Sequence, residues 1–249
     1  PAIHNWINST VRSKTVRLYK PRIPTMTERP YRKVRSFVNR PGRLTNAQRR
    51  ALNQLFPRWG IDFGAPIDMQ DLFNRETTRV LDIGFGDGEA LLTLAANNPT
   101  IDYLGIEVHE PGIGHLLLLL EQAGITNVRI IQHDAVEVIS DMLLDCQFDA
   151  VNLFFPDPWP KKRHHKRRLI QPAFINDVSR ILKANGLLHI TTDWDNYAEH
   201  IRETLKKNGL FSLINEDKSL PLMCRPPTKF ERRGKRLGHN VTDFYFCLK

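Results

Sequence analysis

The segment LDIGFGDG (residues 81–88) places three glycines, Gly84, Gly86 and Gly88, directly after a short apolar run. A turn of this kind between a strand and a helix lets a ligand approach the backbone closely, because glycine has no side chain. The spacing is GxGxG, and the third glycine of the dinucleotide fingerprint GxGxxG is missing. The segment therefore predicts a ligand-binding turn and disfavours a nicotinamide cofactor.

Two acidic residues stand at the ends of the next two apolar runs. Glu107 lies 23 residues after Gly84, where a carboxylate can accept hydrogen bonds from both hydroxyls of a ribose. Asp134 ends the following run, where it could meet the edge of an adenine or, alternatively, cap the next helix. Ligands of open α/β sheets bind beyond the carboxyl ends of the strands. The glycine turn, Glu107 and Asp134 follow three successive predicted strands, and together they indicate a ligand that contains adenosine.

A further candidate site is the segment Pro156-Asp157-Pro158-Trp159, which follows the apolar run 148–155. The two prolines restrict the backbone around Asp157, and a basic run begins at Lys161. A positioned carboxylate, an aromatic ring and phosphate-binding cations in one loop are typical of a site that captures a nucleic-acid base. The alternatives are a rigid turn for the Pro-Asp-Pro unit and simple packing for Trp159 and Trp194.

The hydrophobic pattern predicts the elements that must position these residues. Short apolar runs predict strands over residues 80–83, 103–108, 128–131, 150–155 and 187–191. Amphipathic stretches predict helices over residues 89–97, 112–123, 135–144, 172–182 and 196–207, with left-handed caps at Gly124, Gly186 and Gly209. This alternation predicts a mostly parallel α/β sheet with helices on both faces. The runs 211–214 and 244–248 predict a final hairpin-like pair of strands.

The positive charge of the chain is concentrated in patches. The formal net charge is +9, yet residues 1–60 alone hold 14 Lys and Arg against the single acid Glu28. Residues 1–40 are polar, basic and interrupted by prolines, so we predict an arm there and one catalytic domain over residues 41–249. Two more clusters lie at residues 161–168 and 229–236. Clustered cations of this kind favour a polyanionic partner such as RNA.

Several classes of protein are disfavoured. No apolar run in the sequence approaches the roughly 20 residues of a membrane span. The cysteines Cys146, Cys224 and Cys247 form no CxxC pair, so neither a disulfide framework nor a zinc site is indicated. His164 and His165 lack sequence partners for a metal site, and we predict no metal. Nothing in the sequence requires a protein partner, and we expect a cytoplasmic protein.

Five motifs resemble the bacterial tRNA (guanine-N7-)-methyltransferase family. They are LDIGFGDG, GIEVHEPG (105–112), FFPDPW (154–159) with the following KKRHHKRR (161–168), TTDW (191–194) and TKFE (228–231). The resemblance runs from about residue 34 to the end of the chain and departs from related sequences at Pro160, where a polar residue is common. It implies a Rossmann-like class I methyltransferase fold with an antiparallel last strand, S-adenosylmethionine as cofactor and tRNA as partner.

The resemblance also implies roles for individual residues. Asp157 is the candidate catalytic residue and a cofactor contact. The remaining cofactor contacts would be Asp82 near the methionine part, Glu107 on the ribose, Asp134 by the adenine, and the turn glycines Gly84, Gly86 and Gly88. Candidate contacts to the substrate nucleotide are Lys161, Asp193, Thr228, Lys229, Phe230 and Glu231. The RNA-binding segment would comprise Arg163, His164, His165, Lys166, Arg167 and Arg168.

The implied reaction is methyl transfer to N7 of a guanine in tRNA, in the variable loop. N7 carries a lone pair in the neutral base, so orientation is the main requirement. A fixed carboxylate at Asp157 would either stabilise the developing positive charge or accept hydrogen bonds from guanine N1–H and N2–H₂. The other interpretations are a methyltransferase for a different RNA or a protein side chain, and a non-catalytic RNA-binding protein on the same fold.

Overall fold

An eight-stranded sheet forms the centre of the part that the computed structural model describes, namely residues 35–37, 42–217, 219–236 and 238–249. The strands are β1 (Gly60–Ile61), β2 (Thr78–Ile83), β3 (Ile101–Glu107), β4 (Val128–Gln132), β5 (Phe148–Phe154), β6 (Leu182–Thr192), β7 (Phe211–Ile214) and β8 (Thr242–Leu248). The predicted arm over residues 1–40 lies outside the described residues, apart from residues 35–37.

The order of the strands across the sheet is β1-β4-β3-β2-β5-β6-β8-β7. Neighbours from β1 to β6 pair in parallel, whereas β8 pairs antiparallel with both β6 and β7. The predicted parallel sheet with an antiparallel last strand is therefore confirmed. The strands β3 and β4 lie on one side of β2, and β5 and β6 lie on the other. Open α/β sheets place their ligands at such a switch point, here between β2 and its neighbours.

Helices alternate with the strands along the chain. They are α1 (Asn46–Gln54), α2 (Phe56–Trp59), α3 (Met69–Phe73), α4 (Glu89–Asn97), α5 (Glu110–Ala123), α6 (Ala135–Asp141), α7 (Pro172–Ile181), α8 (Asp195–Asn208) and α9 (Lys229–Arg236). Short 3₁₀ helices cover Lys162–Arg167 and Pro221–Met223. Among the helices of the described residues, none has the length and apolar character needed to cross a bilayer.

Apolar side chains cover both faces of the sheet, because successive residues of a strand point to opposite faces. On one face Leu81 and Leu104 pack with α3, α6, α7 and α8. On the other face Val80 and Tyr103 pack with α1, α2, α4 and α5. Two-sided burial explains why the strands are continuously apolar in sequence, and it confirms the predicted helices on both faces.

Two of the three predicted glycine caps are confirmed, and one is wrong. Gly124 and Gly209 end α5 and α8 in the left-handed conformation, with φ of 64° and 75°. Gly186 is not a helix cap, because α7 already ends at Ile181 and the chain continues as β6. The left-handed residue in that stretch is Asn185, with φ of 61°.

The helix predicted over residues 135–144 is three residues shorter in the structure, ending at Asp141. The chain leaves the helix there because it pairs with a segment before α3. The amide of Ile67 donates to the carbonyl of Met142 over 2.9 Å, and Ile67 forms a parallel bridge with Leu143. A tertiary contact thus overrides the local helical pattern.

The start of α5 packs directly against the glycine turn that follows β2. A Cβ atom added to Gly112 would lie 1.9 Å from the carbonyl oxygen of Gly86. Real carbon and oxygen atoms do not approach this closely, so a side chain at residue 112 would displace either the helix or the turn. Gly112 belongs to the GIEVHEPG motif, and its close contact explains the need for glycine there.

We predict that Gly112→Ala destabilises the protein by roughly 1–3 kcal/mol, because the new methyl group overpacks a backbone contact. A loss of stability would itself point to overpacking, since replacing glycine by alanine inside a helix otherwise stabilises the protein by up to about 1 kcal/mol. Chemical denaturation measures the difference. Gly64→Ala is the matched control, because a Cβ there meets no atom within 4 Å. Equal stability of the two variants would contradict the packing argument.

Candidate functional site

The turn between β2 and α4 is built on three glycines with positive φ. Gly84, Gly86 and Gly88 have φ of 73°, 64° and 80°, a region that residues with side chains rarely adopt. The amide of Gly84 donates to the carbonyl of Ile106 on β3 over 2.8 Å. The turn therefore opens at the adjacent carboxyl ends of β2 and β3, where the sequence predicts it.

Glu107, the last residue of β3, binds this turn through its carboxylate. Its Oε2 accepts a hydrogen bond from the amide of Gly86 (2.9 Å). Its Oε1 accepts from the amides of Val108 (2.7 Å) and His109 (3.0 Å). The two oxygens of a carboxylate offer about four acceptor positions, so this geometry is compatible with additional hydrogen bonds from a ligand hydroxyl. Glu107 thereby joins the glycine turn to the start of α5.

Asp82 lies beneath the turn on β2 and is only 2% exposed. Burial, and secondly the charge of Glu107, raise the pKa of the Asp82 carboxyl from 3.8 to about 7. A carboxyl group that titrates near neutral pH beside a cleft is typical of functional sites. A cation bound next to Asp82 would favour its charged form.

Asp134 caps a helix and also borders the cavity of the site. Its Oδ1 accepts a hydrogen bond from the amide of Val136 over 3.0 Å, so Asp134 is the N-cap of α6. The residue also lines the main cavity of the site. The helix-cap alternative is therefore observed, and it leaves Asp134 at the wall where a ligand would lie.

A cavity of about 810 Å³ opens at the carboxyl ends of β2 to β5. This volume lies within the usual range for small-molecule sites. Its wall includes Gly84, Gly86, Glu107, Asp134 and Asp157. A smaller cleft of about 30 Å³ shares part of this wall, and its lining includes Asp82, Thr228, Lys229 and Phe230. The structure thus brings most of the predicted cofactor residues to one site.

The loop after β5 carries two residues in a strained backbone conformation. Phe155 and Trp159 have φ of 52° and 44°, although neither is glycine. They flank the Pro156-Asp157-Pro158 unit, and the amide of Phe155 donates to the carbonyl of Thr191 on β6 over 2.8 Å. Left-handed residues with side chains cost about 1–3 kcal/mol each and cluster at functional sites. The surrounding structure therefore holds Asp157 at the cavity rim.

Packing, rather than an open stacking platform, is the role observed for both tryptophans. The indole N–H of Trp159 donates to the carbonyl of Ser36 over 2.9 Å. The guanidinium of Arg167 lies 4.7 Å from the centroid of the Trp159 ring. Trp194 is half-buried and packs against the core beside α8. Trp159 thus links the loop after β5 to the segment that precedes α1.

The basic run divides into an outer part and one buried residue. Residues Lys162–Arg167 form a 3₁₀ helix whose side chains are exposed or half-buried. Arg168 is 2% exposed, and its guanidinium donates to the carbonyl of Pro158 (2.9 Å) and to Asn196 Oδ1 (2.6 Å). This placement differs from the RNA contact expected for Arg168. Its guanidinium anchors the loop after β5 to α8 instead.

Helix α9 places part of the TKFE motif beside the glycine turn. Thr228 Oγ1 accepts from the amide of Glu231 over 3.1 Å and so stabilises the start of the helix. Lys229 Nζ lies 2.6 Å from Asp87 Oδ2 in the turn, and Phe230 is 46% exposed at the cavity. Glu231 differs from its neighbours, because it is buried and forms an ion pair with Arg225.

Arg225 belongs to a buried polar cluster that the sequence did not indicate. It forms an ion pair with Asp243 of β8, whose carboxylate also accepts from Thr191 Oγ1 (2.6 Å) and contacts His189 Nε2 (2.9 Å). Burial tends to raise the pKa of Asp243, but these hydrogen bonds outweigh it and hold the pKa well below its usual range. Burial lowers the pKa of His189. A single arginine among many basic residues gives no sequence signal for such a role.

Four of the predicted cofactor and substrate contacts lie away from the lining of the two cavities described above, namely Glu231, which pairs with Arg225, and Gly88, Lys161 and Asp193. Gly88 faces α5, where an added Cβ would lie 2.6 Å from the Cβ of Leu116. Lys161 is exposed and precedes the 3₁₀ helix of the basic run. Asp193 lies at the end of β6, with its Oδ2 3.5 Å from Nδ1 of His239. In the described residues, no group of three or more His, Cys, Asp or Glu side chains could hold a metal ion.

Comparison with known proteins identifies relatives along most of the chain. The family described as "Putative methyltransferase" matches residues 76–244. The tRNA (guanine-N(7)-)-methyltransferase of Nitrosococcus oceani is 51% identical over 217 residues, covering 86% of this chain and 91% of the relative. The protein of the same description from Halorhodospira halophila is 50% identical over 222 residues, covering 88% of this chain and 96% of the relative.

Solved structures show the same architecture. The crystal structure of the 16S rRNA methyltransferase KamB superposes with a TM-score of 0.53 at 12% sequence identity. The match covers 75% of this chain and 95% of that one. At this identity the likeness concerns the fold alone, and it confirms the predicted Rossmann-like class I methyltransferase fold.

We predict that Arg168→Gln lowers the free energy of unfolding by about 2–3 kcal/mol, because buried hydrogen bonds to a charged group are lost. Arg167→Gln is the matched control and should cost less than about 1 kcal/mol, since its main contact is with the ring of Trp159. Denaturant titration of both variants measures this. Equal effects would mean that Arg168 does not anchor the loop.

Proposed function

Because the chain belongs to the tRNA (guanine-N(7)-)-methyltransferase family, we propose that it transfers a methyl group from S-adenosylmethionine to N7 of a guanine in the variable loop of tRNA. The observation that carries the proposal is one cavity bounded by the glycine turn on one side and by Asp157 on the other. A methyl donor and a target base would meet there. We further propose that the protein acts in the cytoplasm, where tRNA is used.

The described residues fit the proposed cofactor. Gly84 and Gly86 have positive φ and no side chains, which leaves room for the methionine part of the ligand. Glu107 stands at the end of β3 with acceptor capacity for ribose hydroxyls. Asp134 lies at the end of β4, on the wall where an adenine edge would lie. The buried carboxyl group of Asp82 would favour a positively charged ligand nearby.

When bound, S-adenosylmethionine supplies an electrophilic methyl group on a positively charged sulfur. The task of the chain is then to hold guanine N7 in line with that methyl group, which is catalysis by orientation. No proton has to leave N7 before it accepts the methyl group. The fixed loop around Asp157, with strained backbone on both sides, supports this role because it limits the motion of the cavity rim.

Asp157 lines the cavity and carries a carboxyl group at its rim. The methylated base carries a positive charge that the neutral base lacks. A preorganised negative group near it therefore stabilises the transition state more than the ground state. The same carboxylate can accept hydrogen bonds from guanine N1–H and N2–H₂, which adenine does not offer. Both roles are consistent with a rim position.

We place the tRNA backbone along the two basic clusters of the domain. The 3₁₀ helix Lys162–Arg167 follows the Asp157 loop directly, and α9 carries exposed Arg232 and Arg233 next to the glycine turn. Lys161 would extend this surface toward the target nucleotide. Clusters on both sides of one cavity can bind phosphates while a single base enters the site.

The test of the proposed function uses an unmodified tRNA transcript and methyl-labelled S-adenosylmethionine, followed by mapping of the labelled base. We expect label in 7-methylguanine of the variable loop. The matched control is a transcript with 7-deazaguanine at that position, because this base keeps its pairing edge but has carbon in place of N7. It should take up no label.

The outcomes separate the alternatives. Label in 7-methylguanine elsewhere in the tRNA would retain the activity and overturn the variable-loop assignment. Label in a different base or in another RNA would favour the broader methyltransferase interpretation. Tight tRNA binding without any label would favour a non-catalytic RNA-binding protein and overturn the proposal.

We predict that Asp157→Asn lowers the single-turnover methylation rate roughly 100-fold, because asparagine has nearly the same shape but no charge. Cofactor-product affinity, measured by calorimetry, should change less than about twofold. Asp141→Asn, an exposed site at the end of α6, is the control and should leave the rate unchanged. A rate for Asp157→Asn within a few-fold of wild type would show that Asp157 is only a turn residue.

We predict that Lys166→Gln weakens tRNA binding and reduces the dependence of log affinity on log salt by about one unit, as expected for one lost phosphate contact. Lys207→Gln on α8 is the control, because Lys207 is also exposed and lies at the opposite end of the strands. Filter binding across a salt series provides the measurement. Identical slopes for the two variants would remove Lys166 from the RNA surface.

A further inference from the structure

The largely buried guanidinium of Arg225 connects three elements around the cavity. Its side chain is 9% exposed. Nε and Nη2 donate to the two oxygens of Asp243, over 2.7 and 2.9 Å, while Nη1 pairs with Glu231 of α9. A guanidinium can serve two carboxylates at once because its five N–H groups point outward in one plane.

The Asp243 side of this cluster is fixed to the central sheet. Asp243 lies opposite Thr191 in the antiparallel pairing of β8 with β6. Its Oδ1 accepts from Thr191 Oγ1 over 2.6 Å and lies 2.9 Å from His189 Nε2, and both residues are almost completely buried. The sheet therefore supplies a rigid frame, and the guanidinium is held against it.

The other side of the cluster reaches the two segments that form the reaction site. Glu231 belongs to α9, whose Lys229 and Phe230 line the cavity. The Arg225 guanidinium carbon also lies 5.7 Å from the ring centroid of Phe155. Phe155 has the strained φ of 52° and stands two residues before Asp157, and its ring lies 6.4 Å from that of Phe230.

We propose that Arg225 is a positioning residue for methyl transfer. It holds the Asp157 loop and α9 in fixed positions relative to the sheet. The proposal rests on the proposed function, because it concerns the same site. Arg225 lines neither of the cavities described above, so it acts through Phe155 and Glu231 rather than on the substrate. A lysine would keep the charge but not the planar fork.

The first test compares Arg225→Lys with Arg180→Lys. Arg180 is the matched control because its guanidinium also joins separate segments, donating to Asp145 (2.7 Å), Leu143 O (2.8 Å) and Ile139 O (2.6 Å), at the amino ends of the strands. We expect Arg225→Lys to lower the single-turnover rate at saturating tRNA roughly 10- to 100-fold, since small misplacements of reacting groups have effects of this size. The KM for tRNA and the cofactor-product affinity should change less than about twofold.

A merely structural Arg225 would behave like Arg180, with lower stability but an unchanged rate for the folded fraction. A rate for Arg225→Lys within twofold of the Arg180→Lys rate would therefore overturn the proposal. Glu231→Gln provides a second variant that keeps an acceptor oxygen but removes the charge. We expect it to lower the same rate about fivefold, and an unchanged rate would mean that α9 is not positioned through Arg225.

Hydrogen exchange gives a readout that needs no substrate. In Arg225→Lys, amide exchange should increase in residues 155–161 and 228–236 and remain unchanged around α6 and α7. Arg180→Lys should show the reverse pattern. Failure of the wild type to methylate tRNA would overturn the proposed function, whereas unchanged exchange in both segments would overturn the role of Arg225 whatever the activity.

Discussion

The hydrogen bonds between the Glu107 carboxylate and three backbone amides are the constraint on which the site depends. They join the glycine turn after β2 to the beginning of α5, so that two chain segments far apart in sequence form one wall. Gly112 permits this approach because it has no side chain against Gly86 O. The same carboxylate borders the cavity, and its charge adds to the effect of burial in raising the pKa of Asp82. One buried charge thus shapes the backbone and contributes to the electrostatics of the pocket.

The opposite wall, formed by the loop after β5, contains no glycine at its left-handed positions, so its backbone is strained. Phe155 and Trp159 adopt left-handed backbone conformations that the loop itself does not favour. Contacts from outside the loop hold them, namely the carbonyl of Thr191, the guanidinium of Arg225 and the carbonyl of Ser36, which accepts a hydrogen bond from the Trp159 indole. Orientation of the target base is the main requirement of methyl transfer to N7, so a loop fixed by its surroundings suits the chemistry.

The sequence predicts the part of the fold that local patterns encode. Apolar runs locate all five inner parallel strands from β2 to β6, and the glycine turn with Glu107 follows from strand ends and spacing. The local patterns fail where a contact with a segment distant in sequence determines the structure. An example is the end of α6, where the chain pairs with Ile67. The same holds for Arg168 and Glu231, which stand in basic and polar motifs yet are buried by Pro158, Asn196 and Arg225. Burial of a charged residue depends on tertiary contacts that periodicity does not reveal.

The charged side chains of the pocket wall are mostly acidic and most cations lie around it; the exception is Lys229, which lines the pocket and pairs with Asp87. Asp82, Glu107 and Asp134 lie inside the strand-end site, while Lys162–Arg167 and α9 carry the outer cations. A phosphate inside the pocket would be repelled by the carboxylates, whereas a neutral base would not. Phosphates on the rim would be attracted to the basic clusters instead. Under the proposed function, cations that would hold the RNA backbone on the rim and acids inside the pocket would together direct a base, and not the backbone, toward Asp157.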